Sequence, residues 1–150
     1  MVPASSSREE AVKAALDLIE KDSLAYEAVE VGIKYKNEPA SNLHQHYGDM
    51  SPVHSLNNLA VVVWAFLSFQ DSFDEAIGET ICCGWDTDCT GATVGGLLGL
   101  DMGAIPESWT SPWQGRVQTA IAGVGELDLD SLVKRTCTLV DKFSSLADLD

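Results

Sequence analysis

With 23 Asp and Glu against 9 Lys and Arg in 150 residues, the chain has a formal charge of −14, which argues against nucleic-acid or anionic-membrane binding. A hydrophobic fraction of 45% suits a single globular domain over residues 1–150, and no apolar run reaches the roughly 18 residues that span a bilayer. The opening MVPASSSREE lacks the basic-then-apolar pattern of a secretory signal, so the reading is a cytoplasmic protein. Cys82, Cys83, Cys89 and Cys137 contain no CxxC spacing, which predicts reduced, mostly buried thiols and no zinc knuckle.

In chain order, SSSREEAVKAALDLIEKD predicts a helix capped by Ser7, with Glu10 completing a capping box and Ala11, Val12, Ala15, Leu16 and Ile19 inward. SLAYEAVEVGIKYK predicts a second helix burying Ala25, Val29 and Ile33, or Ala28 and Gly32, and ending near Asn37 because Pro39 disfavours helix before it. Residues 38–56 are polar and turn-rich, so a long connection is expected there. LNNLAVVVWAFLSF is apolar on every side and predicts a helix in the middle of the core. DSFDEAIGETICC follows, with Ser72 and Glu75 as a further capping pair and Phe73, Ile77 and Ile81 inward.

Gly91, Gly95, Gly99 and Gly103 recur every fourth residue and would form one smooth helical stripe. Each costs roughly 1 kcal/mol relative to Ala in a helix, so the stripe is expected to admit a neighbouring helix backbone. IPESWTSPWQG reads as a loop, and DLDSLVKRTCTLVDKF as a final amphipathic helix. No strand order is convincing, and the fold class is all-α.

The segment CCGWDTDCTGATVGGLLG carries the chemistry, and its two aspartates admit three readings. Asp88 suits the N-cap of a helix starting near Cys89, which leaves Asp86 unexplained. Asp86, Asp88, Thr90 and Gly91 also match positions 1, 3, 5 and 6 of a calcium loop, but Leu97 stands where the bidentate Glu is required. The third reading is a magnesium-type site, because two carboxylates two residues apart on a turn can converge on one hard cation or bracket two.

GWDTDCTGATVGGLLG followed by IPESW resembles the C-terminal signature of the ADP-ribosylglycohydrolase family, the dinitrogenase-reductase-activating glycohydrolase relatives. VPASSSREEAV, VHSLNNLAVVVWAFL and DLDSLVKRTCTLV extend the likeness over nearly the whole chain. The resemblance implies an orthogonally packed helical bundle and magnesium-dependent hydrolysis of an ADP-ribosyl glycosidic bond, usually with two ions. It implies Asp86 and Asp88 as metal-ligand carboxylates, with Thr90 as a further candidate. It puts His54, Asn57, Trp85 and Cys89 among possible substrate contacts, the partner being ADP-ribose or an ADP-ribosylated substrate.

Two departures qualify the likeness. Cys89 stands where the family often has a Thr ligand, and a protonated thiol is a poor ligand for magnesium. The family's glycine–aspartate and Thr-Asp-Asp motifs do not occur before residue 82, so the chain resembles a C-terminal half. Weak or no hydrolysis by the isolated chain is therefore expected, with self-association or a partner segment supplying the rest. The alternative is a non-catalytic helical domain that binds ADP-ribose weakly or is purely structural.

The bland readings of the other residues are specific too. His54 and the Asn57–Asn58 pair can simply cap the central helix, and Trp85 can be a wall of the core. His44 and His46 form an H-x-H, for which a solvated loop is the expectation.

Overall fold

The computed structural model describes residues 7–147, so residues 2–6 of the VPASSSREEAV segment lie outside the described part. Its helices are α1 Arg8–Leu16, α2 Leu24–Lys34, α3 Ser41–Tyr47, α4 Ser55–Ser68, α5 Phe73–Cys82, α6 Thr87–Met102, α7 Glu107–Thr110 and α8 Leu129–Ala147. The only strands among the described residues are β1 Arg116–Gln118 and β2 Glu126–Asp128, an antiparallel pair with Val117 opposite Leu127. The all-α expectation holds. Two compact units divide the chain, one ending at Ile105 and the other beginning at Pro106.

In the first unit α4 is the central element. Val63, Trp64, Ala65, Phe66 and Leu67 are consecutive and all buried, so this helix is enclosed on every side, as its unbroken apolar sequence predicts. Each large side chain among them contributes about 1.5–3 kcal/mol on burial. Trp64 also satisfies its indole N–H, which donates to the Glu38 carbonyl at 2.9 Å. Helix α2 packs on α4 and buries Ala28, Val29, Val31 and Gly32, whereas Ile33 is exposed. The approach is closest at Gly32, where a Cβ would sit 2.6 Å from Val63 Cβ and 2.8 Å from the Ala60 carbonyl oxygen.

Helix α1 starts as predicted. Ser7 Oγ accepts from the Glu10 N–H, and the Glu10 carboxylate accepts from the Ser7 N–H. It is fastened by Arg8, which is buried although no apolar pattern marks it. Its guanidinium pairs with Asp101 of α6 at 2.8 Å and donates to the carbonyls of Phe66, Phe69 and Gln70. One side chain thus caps the carbonyl end of α4 and ties three helices together.

Three expectations are corrected here. Residues 38–56 are not an unbroken loop, because α3 forms inside them and buries Leu43 and Tyr47. The glycine stripe does not face a helix backbone: Gly91 and Gly95 lie under the Ile81 and Ile77 side chains of α5, and Gly99 under Ile105. Its last member, Gly103, lies outside the stripe and ends α6 in the left-handed conformation at φ 72°. Ile81, expected inward, touches α6 at Gly91 but remains exposed.

The second unit comprises α7, a 3-10 turn at Ser111–Trp113, the β1–β2 pair and α8. IPESWTSPWQG is therefore partly helical, a further correction to the loop reading. Helix α8 is amphipathic as expected, with Val133, Leu139, Val140 and Phe143 exposed along it.

Candidate active site

The aspartate segment sits at the joint between α5 and α6. Cys83 ends α5, and the next two residues both take positive φ, Gly84 at 81° and Trp85 at 60°. The left-handed region suits glycine but is strained for a bulky indole, costing about 1–3 kcal/mol. That double turn delivers Asp86 as the N-cap residue of α6, which begins at Thr87. The helix thus starts two residues earlier than the reading that gave Asp88 the cap. Asp88 stands in the first turn, and the Asp86 side chain makes no capping hydrogen bond, so both carboxylates stay available.

The turn is held from three directions. The Asp86 N–H donates to Asn58 Oδ1 at 3.3 Å. The Asp86 carbonyl accepts from the Thr90 N–H at 3.0 Å and the Thr90 hydroxyl at 2.9 Å. Thr90 is buried and its hydroxyl donates to the Asp86 carbonyl, so it braces the helix start. On the far side, His44 Nε2 donates to the Cys83 carbonyl at 2.7 Å while its ring lies 4.2 Å from that of Trp85. The solvated-loop reading of His44 is therefore corrected, since it belongs to α3 and contacts this turn.

Asp86, Asp88 and Cys89 bring one ligand atom each to within 4.8 Å of one another. Asp86 is half-buried, and Asp88 and Cys89 are exposed. Two carboxylates at the positive end of a 16-residue helix are partly relieved of their mutual repulsion. The neighbouring Asp86 carboxylate, within reach of the Cys89 thiol, and the charge of Asp88 push the thiol's pKa up. Cys83 behaves differently: burial, reinforced by Glu79, raises its thiol to about 11.

The other predicted contacts lie at the start of α4. His54 Nδ1 accepts from the Leu56 N–H at 3.2 Å and caps the helix. Asn57 is fully buried, donating from Nδ2 to the Ser51 carbonyl, while its Oδ1 accepts no hydrogen bond. Asn58 is the residue that reaches the aspartate turn. Its Nδ2 donates to the carbonyls of Pro52 and His54, both at 2.8 Å, so one amide links the 51–54 turn to Asp86. In the sequence Asn58 reads only as a helix opener, and its polarity at the start of an otherwise apolar helix is the one signal of a further role.

The family model for ADP-ribosylglycohydrolase matches residues 2–143. The chain belongs to the ADP-ribosylglycohydrolase family. No curated protein and no solved structure gives a significant match. For an ADP-ribosylglycohydrolase the helical architecture is the expected one, and the family's substrates are ADP-ribosylated groups. No helix among the described residues is long and apolar enough to cross a membrane.

Two carboxylates supply hard oxygen ligands of the kind divalent cations take, with the Cys89 sulfur beside them. Among the described residues, no other group of three His, Cys, Asp or Glu side chains comes this close.

Proposed function

We propose that the chain acts in magnesium-dependent hydrolysis of an ADP-ribosyl glycosidic bond, with Asp86 and Asp88 as the metal-ligand carboxylates. The observation that carries the proposal is their convergence at the start of α6, with neither carboxylate spent on capping. A bound divalent ion would supply charge to orient the ribose hydroxyls and polarise a water at the anomeric carbon.

The chain's own residues set the stage for that chemistry. Asn58 accepts from the Asp86 N–H and Thr90 donates to the Asp86 carbonyl, so both polar groups of the backbone that bears the carboxylate are held. Cys89 lies beside both carboxylates, whose charges favour its neutral thiol, so it adds no further negative charge to the pair. On a chain of charge −14 a pyrophosphate is repelled, and a cation held at Asp86 and Asp88 is what makes its approach favourable. Trp85, half-buried beside the carboxylates, offers an aromatic surface to the substrate.

Turnover on ADP-ribosylated arginine or serine peptides tests the proposal. Release of ADP-ribose that needs magnesium, stops with a chelator and is lost in Asp86→Ala/Asp88→Ala supports it. Two carboxylates alone make a sparse shell for an ion that takes six ligands, and this favours one second reading. In that reading the chain binds ADP-ribose through the same aspartates without turning it over, and the assay would show binding with no release.

A further inference from the structure

We propose that His44 is a positioning residue for the Asp86–Asp88 pair, holding the left-handed turn from which both carboxylates are presented. The inference rests on the metal-binding reading of those aspartates, but the contacts that carry it belong to α3, which that reading does not use.

Two consecutive residues, Gly84 and Trp85, adopt positive φ immediately before Asp86. Glycine accepts this freely and tryptophan does not, so the turn persists only where neighbouring structure holds it. Helix α3 supplies the hold. His44 and Tyr47 lie three residues apart and therefore share a face. The His44 ring stacks on the Trp85 indole with centroids 4.2 Å apart and planes tilted by 38°. Tyr47 meets the same indole edge-on at 6.5 Å. His44 Nε2–H also donates to the carbonyl of Cys83, the residue that ends α5. One imidazole thus fixes both ends of the Cys83–Trp85 turn, by a hydrogen bond at one and a ring contact at the other.

Helix α3 is too short to be stable in isolation. It is anchored through Leu43 and Tyr47, which are buried, whereas His44 is itself exposed and fills no core volume. A residue that packs little but holds a strained turn at the site is placed for positioning, not for stability. The bond to the Cys83 carbonyl requires a proton on Nε2, which leaves Nδ1 as the acceptor in the neutral ring.

The test compares the full chain with His44→Ala, His44→Gln and Asp86→Ala/Asp88→Ala. Magnesium affinity is measured by calorimetry, and amide exchange is followed by mass spectrometry over a peptide spanning residues 83–90. In His44→Ala, exchange in that peptide should accelerate at least tenfold and magnesium affinity fall by about five- to tenfold, with exchange in α4 unchanged. His44→Gln should recover most of both, because its amide N–H reaches the same carbonyl. Unchanged exchange over residues 83–90 in His44→Ala overturns the proposal. So does acceleration throughout the chain, which would mark His44 as merely structural. If wild type and the double aspartate variant bind magnesium equally or not at all, the metal-binding reading fails. The exchange data then decide by themselves whether His44 holds the turn.

Discussion

Replacing Gly32 by Ala is the most exacting test of the packing that carries the site. The new Cβ would lie 2.6 Å from Val63 Cβ and 2.8 Å from the Ala60 carbonyl oxygen, where ordinary contacts are about 3.5–4.0 Å. Neither neighbour can rotate away, because one is a Cβ and the other a backbone oxygen. Helices α2 and α4 must separate, which puts the penalty at the upper end of the roughly 1–3 kcal/mol of overpacking, or above it. Better helix propensity returns about 1 kcal/mol, so the net loss is about 2 kcal/mol. Gly78→Ala is the matched control: it is exposed in α5 with nothing within 4 Å of its Cβ, so it should gain about 1 kcal/mol. At about 2–4 °C per kcal/mol for a chain of this length, the two variants should melt about 6–12 °C apart, on opposite sides of wild type. Thermal and urea unfolding followed by far-UV circular dichroism give both values. A Gly32→Ala protein as stable as wild type would refute the close approach of α2 and α4.

Arg8→Met should cost about 3 kcal/mol in the same unfolding assay, because it strands Asp101 and three carbonyls at the end of α4. Arg8→Lys should not rescue it, since one ammonium lacks the fork that reaches all of them. Glu9 gives a pH prediction: hydrogen bonds from Lys36 and Gln70 hold its carboxyl down at about 2, against an ordinary value of 4.5. Its folded pKa is depressed, so its contribution is present above about pH 4.5 and is lost as pH falls toward 2. NMR titration should place the Glu9 midpoint near 2 in wild type and well above it in Lys36→Met.

Much of this arrangement was legible in the sequence where local chemistry decides it. The Ser7–Glu10 box, the enclosed α4 and the final amphipathic helix all follow from residue type and spacing. Helix α3 was not legible because SNLHQHY has only Leu43 and Tyr47 to bury, too few to stand out in a polar stretch. The glycines misled for a related reason. Spacing on α6 suggested close backbone contact, yet the tight approach occurs at Gly32, a lone glycine whose importance depends on which face α4 presents.

At the site, the DxD spacing announced the carboxylates but not their support. Local capping preference favoured Asp88, whereas the left-handed turn at Gly84 and Trp85 carries the helix start back to Thr87. The hydrogen bonds from His44 to Cys83 and from Asp86 to Asn58 join residues 39 and 28 positions apart, and no local pattern records such pairings.

Calorimetric titration of ADP-ribose with and without magnesium, for the wild-type chain and for Asp86→Ala/Asp88→Ala, tests the central claim most directly. The account predicts binding to wild type that requires magnesium and disappears in the double variant. Flat titrations for both proteins, or equal binding to both irrespective of magnesium, would contradict it.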